Sequence, residues 1–279
     1  MSNSEHLSRR AFLGVVAAAP LGLAATQKHI PIGLELYSVR EELKKDLPNT
    51  LQAVARMGYE CVEFYAPYYE WTLDYAKQVK KQLDDLKIRC YSTHNEMKSF
   101  TDDGVEKAIE LNKALNTRFI VLAHPGEVSG AAGWRKVADT LNNANNKMKK
   151  HGLHAGYHNH DVEWKDVEGQ KPMQILASNA DKSIMLQLDV GTCLEAGSDP
   201  VAWIESNPGR IRSVHLKDWS PEKGYRVLFG EGVAPWRKIF AAAQSKGGVE
   251  FYLIEQEGSD YPELETADRC LIAYKNLQG

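Results

Sequence analysis

From Ile30 to the C-terminus the sequence repeats one alternation eight times: a short apolar run with strand character, then a longer stretch whose apolar residues recur at helical spacing. The runs are PIGLELYS, YECVEFYA, KIRCYSTH, RFIVLAHP, LHAGYHNH, SIMLQLDV, IRSVHLKD and EFYLIEQE. Between them lie patterns such as LPNTLQAVARMG, WTLDYAKQVKKQLDDLK, GVEKAIELNKALN and WRKVADTLNNANNKMKKHG. Several close on glycine or a basic last turn, as helices do. Strands that alternate with helices run parallel, joined by right-handed crossovers. Eight such units over about 250 residues fit an α/β fold of the closed (β/α)8 TIM-barrel type. An open doubly wound sheet would carry a glycine-rich phosphate turn after its first strand, and PIGLELYSVREEL has none.

The 279 residues, 43% hydrophobic, suffice for one large core, and no linker or low-complexity tract interrupts the chain after residue 30. We therefore read residues 28–279 as a single barrel domain. A formal net charge of -3 offers no electrostatic footprint for nucleic acid or an anionic membrane. Cys61, Cys90, Cys193 and Cys270 lack metal-ribbon or redox spacing and read as buried small hydrophobes.

Residues 1–27 stand apart from the alternation. SRRAFLG at Ser8–Gly14 resembles the twin-arginine export motif, and the weakly apolar VVAAAPLGLAA that follows leads to small residues near Ala24–Thr26 where a signal peptidase could cut. The expectation is a twin-arginine-type signal peptide and a periplasmic mature protein, free of the membrane once the signal is cleaved.

In a parallel barrel the C-terminal ends of all strands surround one mouth. Here every one of those ends is polar: Glu35, Glu63, His94, His124, His158 with His160, Asp189, His215 with Lys217, and Glu255 with Glu257. Five of the nine histidines fall at these positions, whereas histidines kept for unrelated reasons would scatter. In IRSVHLKD the period of two puts Ser213, His215 and Lys217 on one side of the strand. Histidines and carboxylates delivered from separate strand ends suit one divalent ion, whether Mn, Co, Fe, Zn or Mg. The long segment DWSPEKGYRVLFGEGVAPW, with Gly224, Gly230 and Gly232, would lie on the same face and can fold over a ligand.

The strand order and the motifs YHNHDVEW, LDVGTCLEAGSDP, VHLKD, FGEGVAPW and LIEQE resemble the xylose-isomerase-like TIM-barrel superfamily of sugar phosphate isomerases and epimerases, over residues 30–279. That group also includes inosose dehydratase, keto-sugar lyases and the endonuclease IV branch. The resemblance implies a metal held by a glutamate, an aspartate, a histidine and a glutamate at the ends of strands five to eight. The last three fall on Asp189, His215 and Glu255. The fifth-strand end reads YHNH, so His158 takes the glutamate's position, with His160 as the second candidate.

In the family's epimerases the metal stabilises an enediolate of a keto sugar while two glutamates exchange protons. Losing one glutamate to histidine makes that symmetrical exchange harder to write. Proton abstraction with loss of a β-substituent, as in a lyase or dehydratase, needs only one base and one acid. Glu255, Lys217 and His160 are the candidates for those roles, although Lys217 is equally an ion-pair partner of Asp218 or a nearby glutamate. Glu35, Glu63, His94, His124 and Trp219 are expected to touch the substrate, an unphosphorylated keto sugar or keto-glycoside. Trp164 and Trp236 read as either stacking or packing residues. A homodimer through outer helices is compatible with such a barrel. A sugar isomerase or epimerase on the same site, a non-catalytic periplasmic sugar-binding protein and an abasic-site nuclease are the competing readings.

Overall fold

The computed structural model describes residues 29–278; the expected signal peptide of residues 1–27 lies outside the described residues. Eight strands, β1 (Ile32–Glu35), β2 (Cys61–Phe64), β3 (Arg89–Glu96), β4 (Phe119–His124), β5 (His154–His158), β6 (Met185–Asp189), β7 (Ser213–Leu216) and β8 (Phe251–Ile254), form a closed barrel in sequence order. All neighbours are parallel, and β1 closes on β8 through Gly33 opposite Leu253. Seven of the strands lie inside the apolar runs, and β3 extends two residues past its run, to Glu96.

The connections carry α1 (Arg40–Lys45), α2 (Leu47–Met57), α3 (Leu73–Asp85), α4 (Val105–Leu115), α5 (Gly130–Lys149), α6 (Pro172–Asn179), α7 (Val190–Glu195), α8 (Pro200–Ser206), α9 (Trp236–Ala242) and α10 (Glu263–Gln278). Their limits follow local chemistry. Asp46 caps α2 by accepting from Asn49 N at 3.0 Å, Pro48 sits in its first turn, and Gly58 ends it with φ 99°. The main core lies between barrel and helices, and a second cluster around Phe119, Met185, Phe251 and Leu253 fills the barrel itself. All four cysteines are buried and free. Among the described residues no helix is long and apolar enough to cross a membrane.

The β7–α9 connection is organised by Asp218. Its carboxylate accepts from the backbone N–H groups of Trp219, Gly230, Gly232 and Ala234 and from the Trp236 indole, at 2.8–3.2 Å. Gly230 adopts φ 86°, and a Cβ on Gly232 would lie 2.1 Å from Asp218 Oδ1. Both glycines are therefore needed for the loop to wrap this closely around the carboxylate.

Candidate active site

The ends of β5 to β8 are adjacent around the barrel, and their polar side chains meet. One ligand atom from each of His158, Asp189, His215 and Glu255 lies within 4.8 Å of the others, and none of the four residues is more than 6% exposed. Asp189 owes its position to a local signal. It ends β6 and caps α7, accepting from Thr192 N through Oδ1 at 2.8 Å. Asn159 braces the same strand end, accepting from Asp189 N at 3.0 Å and donating to Asp189 O at 3.2 Å. Asp189 Oδ2 is left buried with no hydrogen-bond partner, 4.0 Å from His158 Nε2 and 3.7 Å from Lys217 Nζ.

A buried oxygen that accepts no hydrogen bond, beside two imidazoles and a second carboxylate, fits a small divalent cation. His215 is already oriented for that role. Its Nδ1 lies 2.5 Å from Glu255 Oε2, and its Nε2 lies 3.0 Å from Glu63 Oε1. A histidine that ligates through one nitrogen is commonly held by a carboxylate at the other, which is where Glu63 stands. Of the two histidines that the sequence leaves open at the fifth strand, His158 joins the cluster. His160 lines the cavity instead.

That cavity, about 280 Å³, is lined by Glu35, Tyr37, Tyr65, Ala66, His94, His124, His158, His160, Glu255 and Glu257. Glu35, His94, His124 and His160, the expected site residues, thus reach the cavity wall. His160 stacks on exposed His124 at 5.0 Å, and Glu163, accepting from His160 N at 2.8 Å and from the Tyr157 hydroxyl at 2.7 Å, fixes its backbone.

Three further expected site residues lie away from the cavity wall. Glu63, expected at the substrate, is fully buried below the cavity, where it accepts from His94, His215, Gln187 and Ser92. Trp219 does not line the cavity; its backbone binds Asp218 and Val233 in the β7–α9 loop. Lys217 takes the second of its two roles, though not with Asp218. It is 1% exposed, pairs with Glu257, and lies 3.4 Å from Glu255 Oε1. Trp164 and Trp236 are packing residues, against Trp203 at 5.1 Å and Phe229 at 4.6 Å respectively.

The electrostatics follow from burial and pairing. Burial pulls Lys217 down, but Glu255, Asp189 and Glu257 overcome it and hold the ammonium well above its ordinary range. A base role for Lys217 therefore does not follow from this arrangement. Burial alone would raise Glu255 and Glu63, yet Lys217 and His215 hold the first low, and His94 and His215 the second. Asp189 is pushed up to about 6 by burial, against the pull of Lys217. Glu35, with Oε1 buried and unpaired, is raised well above the carboxylate range by burial and by the neighbouring charges of Glu255 and Glu63. Burial, then His124, lowers His160 to about 4, so its imidazole is neutral at pH 7.

The His160 shift has a measurable consequence in metal-free protein. Between pH 6.5 and 4 the unfolded chain binds a proton there that the native state refuses, so stability falls as the pH falls through that window. Wild type should lose on the order of 3 kcal/mol relative to a His160→Gln variant across the window. Urea midpoints measured in chelator from pH 7 to 4 check this; parallel profiles for the two proteins would contradict it.

Reasoning from sequence missed Asn159, Glu163, Gln187, Asp218, Tyr37 and Tyr65. Gln187 was the most accessible: two residues before Asp189 in β6, it shares the inward face by the period of two. Its Oε1 lies 2.7 Å from His94 Nε2 and 3.1 Å from His158 Nδ1, and its amide donates to Glu63 at 3.0 Å.

The chain and its fold resemble several known proteins. Inosose dehydratase of Bacillus cereus (strain AH820) is 25% identical over 142 residues, 44% of this chain and 47% of that protein, so the match spans about half the length of this curated relative. A solved sugar phosphate isomerase/epimerase from Parabacteroides distasonis ATCC 8503 superposes with a TM-score of 0.78 at 25% identity, over 90% of this chain and 97% of that one. An IolI protein solved with a zinc atom shares the fold, with a TM-score of 0.68 at 15% identity over 88% of this chain and 97% of that one. Residues 51–271 match the family model described as xylose isomerase-like TIM barrel, and the chain belongs to that family.

Proposed function

We propose that the protein is a divalent-metal-dependent enzyme acting on a keto sugar or keto-glycoside, by lyase or dehydratase chemistry. The observation that carries this reading is the buried cluster of His158, Asp189, His215 and Glu255, with Asp189 Oδ2 accepting no hydrogen bond, beside a cavity whose walls hold Glu35 and His160. The zinc of the IolI neighbour supports a metal at this site, and the isomerase/epimerase and dehydratase relatives support a sugar-like substrate. A Mn, Co, Fe, Zn or Mg ion held by those four residues would polarise a substrate carbonyl and acidify the adjacent C–H.

The chain's own residues divide the remaining work. His160, neutral at pH 7, is the base that takes the carbon-bound proton on its free ring nitrogen. Glu35, kept protonated by burial, donates from Oε1 to the departing β-substituent. Glu255, ion-paired to Lys217 and His215, is the weaker base and serves as a ligand. Lys217 offsets the carboxylate charge, and His94 and His124 bind substrate hydroxyls. A neutral imidazole and a protonated carboxyl form an asymmetric pair, which suits elimination better than the matched bases of epimerisation. The twin-arginine motif at Arg9 and Arg10 supports a periplasmic site of action for the mature chain.

The metal-loaded protein is incubated with a 3-keto-glucoside in D2O and followed by proton NMR. Loss of the aglycone is the expected result. Deuterium incorporation without cleavage would instead mark an isomerase or epimerase. Tight sugar binding with neither change, across a panel of keto sugars, would make it a binding protein.

A further inference from the structure

A second cavity opens beside the mouth. It holds about 440 Å³ and is lined by Phe64, Tyr65, Tyr68, Trp71 and Tyr75, with Lys44 at its rim. Tyr65 lines both cavities, so the two adjoin at this residue. Tyr37, on the mouth side, packs edge-on against Tyr65 at 5.4 Å. On the far side Trp71 makes edge contacts with Phe64 at 5.0 Å, Tyr68 at 6.1 Å and Tyr75 at 5.2 Å.

This aromatic shelf is rigidly founded and yet open. Tyr68 is buried, and its hydroxyl donates to Asn95 Oδ1 at 2.6 Å while accepting from Asn112 Nδ2 at 2.8 Å. Tyr37 and Tyr75 nevertheless remain 39% and 38% exposed. A pre-organised shelf costs little further ordering when a ligand arrives. The cations beside it are already paired, Lys44 with Glu41 at 2.9 Å and Lys45 with Glu42 at 2.8 Å, so the groove is not built for a phosphate. Flat aromatic walls suit the apolar face of another ring. The mouth alone, at 280 Å³, falls below the ~300–1,000 Å³ of typical small-molecule sites, whereas mouth and groove together fall within it.

We propose that the groove is a second-ring subsite. The substrate is a glycoside of at least two rings, with the reacting ring in the mouth and the aglycone ring, sugar or aromatic, on Trp71 and Tyr75. This rests on the reading of the mouth as a sugar site.

Binding of three unreactive probes to the full metal-loaded chain tests it by calorimetry: methyl glucoside, cellobiose and p-nitrophenyl glucoside. One or both two-ring probes should bind about tenfold tighter than methyl glucoside. Tightening by cellobiose identifies a sugar as the second ring, and tightening by the nitrophenyl compound an aromatic aglycone. Trp71→Ala should erase the difference while leaving the methyl glucoside Kd within about twofold. Tyr75→Ala, at an exposed position on α3, should reduce it without burdening the fold. Equal Kd values for all three probes would overturn the subsite and leave the sugar reading intact, as would a preference unchanged in both variants. Failure of every probe to bind would overturn the sugar reading and this proposal with it.

Discussion

A His215→Ala variant should lose its divalent ion and turn over at least about a thousandfold more slowly than wild type. The side chain joins both halves of the centre: Nδ1 faces Glu255 and Nε2 faces Glu63. Its removal takes a proposed ligand away and leaves two buried carboxylates without their shared partner. Stability should therefore fall as well, by about 3–5 kcal/mol in the metal-free protein. Metal content after dialysis, turnover and urea midpoints read these effects separately. A variant that still retained one equivalent of tightly held metal would move the ion's position away from this cluster.

Asp218→Ala should be nearly as damaging, although Asp218 touches neither the cluster nor the cavity. Four backbone N–H groups and the Trp236 indole converge on its carboxylate, and alanine would leave them without an acceptor in a partly buried loop. A loss of about 3–5 kcal/mol is expected, together with faster proteolysis within residues 219–235. Asp218→Asn, which keeps one acceptor oxygen, should fall between alanine and wild type. Limited proteolysis and thermal melts distinguish the three proteins. Equal protease sensitivity would mean that the loop is held by Trp236 and Phe229 packing instead.

The positions of the cluster residues were legible in the chain because two periodicities coincide. Parallel order makes successive strand ends spatial neighbours, and the period of two sends alternate residues inward. His158, Asp189, His215 and Glu255 come from four consecutive strands, so their meeting follows from topology. Pairing across the barrel is another matter. Glu35 and Glu63 stand opposite each other in register on β1 and β2, and sequence offers no reason to treat them differently. Glu63 is nonetheless sealed under His94 and His215, while Glu35 faces the cavity with an unpaired oxygen.

Local periodicity and the short reach of each connection specify the barrel, its strand order and the polar residues that reach the mouth, and all three can be read along the chain. Which of those groups are free to do chemistry depends on contacts made only in the folded barrel. Lys217 is held as an ammonium by carboxylates from β6 and β8, and Glu63 is claimed by imidazoles from β3 and β7. Protonation and pairing depend on burial and on charges within a few ångströms, and the groups supplying them lie up to 152 residues away along the chain.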